Sequence, residues 1–236
     1  MSRILLASGG PTYAHDHARA AQALEEILGD AGHDIVAVTT HPDQLPDATA
    51  QHRPDAIVMH MLWWRMLADR YAHLRDEWAY RTNEDLRSAL QSFVVGGGGL
   101  VALHTSTICF DDWAGWGDLL GAQWNWNRSF HPPLGPAAVR VLDAAHEITE
   151  GLADFTTIDE IYADLDLRSD LVPLLAGRHE DGTEHPVLWT RAWGAGRVVQ
   201  FGLGHDESAL QHPTTAEIVR RGTAWAVRSP RSSSDA

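Results

Sequence analysis

The chain contains no lysine: all 18 basic residues are arginine, against 32 acidic residues, and the net charge is −14 at pH 7. That absence excludes Schiff-base catalysis, pyridoxal phosphate attachment and the lysine of a phosphate-binding P-loop. A single cysteine, Cys109, excludes an intrachain disulfide and any Cys-rich zinc or iron–sulfur site. No apolar run approaches the roughly 18 residues that a membrane helix needs. The first strand begins at Arg3 with no charged segment or cleavage site ahead of it, so a cytoplasmic protein without a membrane partner is expected. Without a basic stripe, a chain this acidic is not expected to bind nucleic acid. What is left for chemistry is 14 histidines, the carboxylates, the hydroxyls and one thiol.

The length of 236 residues and 44% hydrophobic content suit a globular α/β chain with a substantial core. Residues 3–8 (RILLAS) read as a buried strand ended by Gly9-Gly10-Pro11. Residues 18–28, with Ala21, Leu24, Ile27 and Leu28 on one stripe, read as an amphipathic helix. Further strands are predicted at 34–39, 55–60, 100–104, 138–142, 171–176, 186–193 and 197–203, the last two joined by a hairpin at Gly194-Ala195-Gly196. Thr82 with Asp85, and Thr214 with Glu217, read as capping boxes that open helices running to Val95 and Val227. The glycines at 96–99 precede a strand rather than a helix, so they read as a helix C-cap and turn and not as a phosphate loop. One domain is expected over residues 1–227, followed by a disordered polar tail at 228–236 (RSPRSSSDA).

Apolar strands alternating with helices imply a mostly parallel sheet, whose ligand sites lie beyond the carboxyl ends of its strands. Histidine recurs at that edge. His15 and His17 follow the first strand, His41 the second; His60 and His104 end the third and fourth, and His205 follows the last. Polar residues are common at strand ends, so each alone carries little; His104 and His205 together point to function. Gly99-Leu-Val-Ala-Leu-His104 has the layout of a nucleophile elbow with imidazole in the nucleophile's place, suited to proton transfer or metal binding. Cys109, beside Phe110, reads as an inert structural thiol. Asp206 and Glu207 either orient His205 or cap the helix that follows. Trp113, Trp116, Trp124, Trp126, Phe130 and His131 form an aromatic segment with amides among it, and Trp63 and Trp64 share its edge. Such residues stack on sugar rings, and equally build a core or the interface of a homo-oligomer, which is the expected assembly. The sequon Asn127-Arg128-Ser129 reads as chance.

Six elements taken in order resemble the ThuA-like, or trehalose-utilisation, family: residues 97–104 (GGGLVALH), Phe130-His131-Pro132, residues 146–152 (HEITEGL), Asp159-Glu160-Ile-Tyr162, residues 186–191 (PVLWTR) ending in Arg191, and residues 194–206 (GAGRVVQFGLGHD). The resemblance spans about Arg3 to Val227. It implies a flavodoxin-like three-layer sandwich related to class I glutamine amidotransferases, a mostly parallel sheet with a terminal antiparallel hairpin. In those enzymes the elbow carries cysteine and the partner motif is His-x-Glu. Here His104 takes the cysteine's place while His205-Asp206-Glu207 keeps the spacing, which implies no glutaminase activity. It further implies a small-molecule carbohydrate partner, trehalose or a related disaccharide, keto forms included. His131, Glu160, Tyr162 and Arg191 are implied at the site, with His15, His17, Trp63 and Trp64 beside them.

The leading expectation is therefore a sugar-modifying enzyme with His104 and His205 as acid/base pair and Asp206 or Glu207 orienting His205. A second makes His104 and His205 ligands of a divalent metal, zinc by donor type. A third is a non-catalytic sugar-binding protein on the same fold.

Overall fold

The computed structural model describes residues 1–228. Most of the expected polar tail lies outside the described residues. In chain order the first half comprises β1 (Arg3–Gly9), α1 (His17–Asp30), β2 (Asp34–Thr39), α2 (Leu45–His52), β3 (Ala56–Met61), α3 (Arg75–Trp78), α4 (Glu84–Val95), β4 (Gly99–Leu103) and α5 (Ala114–Leu120). The second half adds β5 (Ala122–Gln123), β6 (Gly135–Val141), β7 (Phe155–Asp159), β8 (Asp166–Leu167), β9 (Pro173–Arg178), β10 (Glu184–Trp193), β11 (Gly196–Phe201), α6 (Glu207–Gln211) and α7 (Pro213–Ala226).

One nine-stranded sheet runs β2-β1-β3-β4-β11-β10-β9-β6-β7. β2, β1, β3, β4 and β11 are mutually parallel, and β10, β9, β6 and β7 continue the sheet antiparallel. β5 and β8 form a small separate pair. The parallel strands are apolar on both faces, as strands covered on both sides must be. Ile4, Leu6, Val58, Val101 and Leu103 meet α1 and α7 on one face; Leu5, Ile57, Met59, Leu100 and Ala102 meet α2, α4 and α5 on the other. α1 presents Ala20, Ala23, Leu24, Ile27 and Leu28 at helical spacing and is capped by Asp16, which accepts from the Arg19 amide.

Both expected capping boxes are corrected. The cap of α4 is Asn83, which accepts from the Leu86 amide at 2.8 Å, because the Thr82 hydroxyl is already given to Asp112. The cap of α7 is His212 with no side-chain bond, since Glu217 is held by Arg220 and Arg221. β4 ends at Leu103, one residue earlier than expected. His104 stands at φ +42° and opens a 3-10 turn over His104–Thr107. Ser106 and Thr105 tie that turn to the Met59 and Met61 carbonyls of β3. A left-handed non-glycine residue of this kind costs about 1–3 kcal/mol and persists only where its surroundings impose it.

Candidate functional site

The turns after β1, β4 and β11 converge at the carboxyl edge of the parallel strands, bringing His15, His104 and His205 together with His60 from β3. The residues that follow β7 reach the same place. The Asp159 carboxylate accepts the Gly204 amide at 2.7 Å, the Glu160 amide at 2.8 Å and the His205 amide at 3.3 Å, which fixes the loop carrying His205. Gly204 makes this turn at φ +102°, and its carbonyl accepts from His60 Nε2 at 2.9 Å. A side chain at that position would be strained at this φ and would press on Leu210.

Carbonyl partners settle the tautomers. His104 Nδ1 lies 3.2 Å from the Gly202 carbonyl, so it carries the proton and Nε2 is left as an acceptor. Tyr162 Oη and His205 Nδ1 each lie 3.3 Å from that Nε2. His15 Nδ1 donates to the His205 carbonyl at 3.1 Å, which leaves its Nε2 bare as well. His205 Nδ1 also sits 3.3 Å from Glu160 Oε2, and His131 Nδ1 the same distance from Glu160 Oε1.

Burial divides these groups by charge. Desolvation, together with neighbouring imidazoles, pushes His104 well below its ordinary value, His15 to about 4 and His60 to about 3. His205 moves the other way: burial depresses it, but the bond to Glu160 and the nearby carboxylates more than offset that and raise it. Glu160 is correspondingly lowered, its burial outweighed by His205 and His131. Burial raises Asp159 to about 6 against the three amides it accepts. The cluster therefore sets one couple in which charge is favoured, Glu160 with His205, against the buried rings of His15, His60 and His104, in which it is disfavoured.

Above the couple opens a cavity of about 300 Å³, lined by His15, His131, Glu160, Tyr162 and His205 together with the aromatic rings of Trp64, Trp124, Trp126 and Tyr71. His104 is 0% exposed and does not form part of its surface. It touches Tyr162 and His205, which line the cavity, so the residue expected to act as acid or base lies one layer behind the cavity wall.

Other expected residues sit elsewhere. Asp206 is the N-cap of α6, accepting from the Ala209 amide at 2.8 Å, and Glu207 points to Arg19 at 3.4 Å; the carboxylate that orients His205 is Glu160. Trp63 packs in the core against His41, Trp78 and Tyr80. Arg191 pairs with Asp170 at 3.2 Å and lines no part of the cavity. His17 is buried behind His15 and beside His60, also off the cavity surface. Cys109 is buried, donates to the Met61 carbonyl and is raised to about 12 by desolvation, so it holds no thiolate. Residues without a sequence signal also contribute. Tyr13, Arg70 and Tyr71 line the cavity, the last two from a short 3-10 turn that no periodicity marks. Among the described residues, His15, His104 and His205 form a group able to hold a metal ion, one nitrogen of each lying within 4.8 Å of the others. No helix among the described residues is long and apolar enough to cross a membrane.

A family model described as trehalose utilisation, ThuA, matches residues 3–226. The fold is similar to that of a ThuA-like protein from Parabacteroides merdae, with 17% identity, 96% of this chain and 90% of that chain covered and a TM-score of 0.73. It is also similar to a ThuA-like protein from Bacteroides uniformis (17% identity, 94% and 89% covered, TM-score 0.69) and to a cytoplasmic protein from Salmonella typhimurium (12% identity, 96% and 99% covered, TM-score 0.60). No curated protein matches the chain.

Proposed function

Because the chain belongs to the ThuA, trehalose-utilisation family, we propose that it is a cytoplasmic, homo-oligomeric enzyme that transfers protons on trehalose or a related disaccharide, keto forms included. The observation that carries this reading is the Glu160–His205 couple, closed at 3.3 Å on the wall of an aromatic cavity and backed by the neutral Nε2 of His104. A cavity that combines flat apolar walls with a few fixed polar groups suits a sugar ring.

In this reading His205, held protonated by Glu160, gives a proton to the substrate oxygen that gains charge. Glu160, with His131 on its other oxygen, is the group facing the cavity that can receive one. His104 is a positioning residue: its bare Nε2 holds the Tyr162 hydroxyl and the His205 ring in place. Proton transfer by such placed groups contributes about 10²–10⁴-fold. No thiolate stands at the elbow, which argues against glutaminase chemistry. α1 and α7 on one sheet face, with α2, α4 and α5 on the other, support reading residues 1–227 as one flavodoxin-like three-layer domain.

A second reading has an observation of its own. The 3.3 Å between His104 Nε2 and His205 Nδ1 is close to the ligand spacing of about 3.4 Å implied by tetrahedral zinc, and His15 adds a third imidazole. His15 and His104 each lock their other nitrogen on a backbone carbonyl, as metal-binding histidines do. A divalent metal held there would supply Lewis acidity or an activated water.

Thermal melting against trehalose, related disaccharides and their keto forms tests the substrate class. A ligand at 100 times its Kd adds about 2.7 kcal/mol, and no shift with any of them removes the sugar reading. Elemental analysis of untagged protein separates the two chemistries, since one stoichiometric zinc supports the second and its absence supports the first.

A further inference from the structure

A second cavity, of about 380 Å³, adjoins the one at the histidines and is lined by Trp64, Arg65, Arg70, Tyr71, Asp111 and Trp126, with Leu67 and Ala68 at its edge. Trp64, Arg70, Tyr71 and Trp126 line both spaces, so the two adjoin along these side chains. Each alone lies near the lower end of the roughly 300–1,000 Å³ that small-molecule sites enclose.

The two spaces differ in chemistry. The first holds the Glu160–His205 couple with His15 and His131 beside it. The second holds no histidine, and its one carboxylate, Asp111, is engaged by the Arg65 backbone amide at 3.0 Å and by its guanidinium at 3.2 Å. What it offers is recognition. The Trp64 and Trp126 rings are nearly parallel, 20° apart with centroids at 6.0 Å, and Tyr71 stands edge-on to both. The Arg70 guanidinium lies 4.8 Å over the Tyr71 ring, and Trp64 Nε1 is a buried donor without a partner. Flat aromatic faces suit the C–H face of a pyranose, while the arginines and Asp111 suit its hydroxyls.

We propose that this second cavity is the subsite for the non-reacting ring of a disaccharide whose reacting ring lies against His205 and Glu160. The proposal rests on the sugar reading above and adds to it where the second ring of the disaccharide lies. Unlike the four shared residues, Ala68 and Leu67 line only the second cavity and are exposed there, which allows it to be filled without touching the first.

Calorimetric titration of the full chain with trehalose and with glucose tests this, using the variants Ala68→Trp and Leu67→Trp, each first matched to the unsubstituted protein by its melting temperature. Trehalose is expected to bind at least about tenfold more tightly than glucose, and filling the subsite to remove that advantage while glucose affinity stays within about twofold. Equal affinity for the two sugars, or a trehalose advantage that survives in a folded variant, overturns the subsite and leaves the sugar reading standing. If neither sugar binds while another disaccharide or keto-disaccharide raises the melting temperature, that sugar and its constituent monosaccharide take the place of trehalose and glucose with the same expectations; if none of them does, the sugar reading and the subsite fall together.

Discussion

Glu160 Oε2 and His205 Nδ1 lie 3.3 Å apart, and this contact, with the nearby carboxylates, outweighs the burial of His205. It raises His205 while the imidazoles around it are lowered. Activity that depends on protonated His205 is therefore expected to fall on the alkaline side of a pH profile, with a midpoint above the ordinary histidine value near 6.5. Glu160→Gln removes the partner charge and is expected to move that limb to lower pH, with turnover down by about 10²-fold or more. A kcat/KM profile in which the limb does not move would separate Glu160 from His205.

Asp206 is the contrasting carboxylate, because its oxygen is occupied at the start of α6. Asp206→Ala is expected to cost about 1 kcal/mol of stability, as loss of a helix cap does, and to leave most of the turnover in place. A loss of activity equal to that of Glu160→Gln would return the orienting role to Asp206.

The lone thiol offers a test of the elbow. Cys109 lies beyond the turn, buried among Phe110, Trp113 and Trp116. Cys109→Ala is expected to lower the melting temperature by a few degrees, a loss of about 1 kcal/mol, with turnover unchanged; abolished turnover in a folded variant would contradict this.

Acid is expected to destabilise the fold. His15 and His17 lie at about 4 and His60 at about 3 in the folded chain, with His104 also well below 6.5. As pH falls below about 6.5 the unfolded chain binds protons that these buried rings refuse, so stability drops by about 1.4 kcal/mol per pH unit for each ring. Lowered Glu160 adds to the loss in acid. Asp159, raised to about 6, works against it as a single group. Raised His205 contributes stability that is present below 6.5 and is lost as pH rises through its folded value. A melting temperature that stays level from pH 7 to 5 would show that the imidazoles are not held neutral.

Much of the architecture was legible because both-side burial leaves unbroken apolar runs: β2 falls on residues 34–39 as expected, and β1, β3 and β4 to within a residue or so at each end. The edge carrying the histidines follows from the same pattern. Capping differs at Thr82 because a motif at the right spacing does not show that Asp112 has taken its hydroxyl, and at Thr214 because α7 already opens at Pro213, with Glu217 held by Arg220 and Arg221 of the same helix. Tyr71 and Arg70 were invisible for a related reason, their 3-10 turn having no period to detect. The exchange of Asp206 and Glu207 for Glu160 is the instructive case. Neighbours of His205 in the chain turn away into a helix start, while a residue 45 positions earlier is brought to it by the loop after β7.

The most direct test is the turnover of His205→Asn on whichever disaccharide or keto-disaccharide stabilises the unsubstituted chain. The expected result is a fall in kcat of about 10²–10⁴-fold, with the melting temperature and the ligand-induced shift retained. Turnover kept within about threefold in a folded, ligand-binding variant would contradict proton transfer by the Glu160–His205 couple.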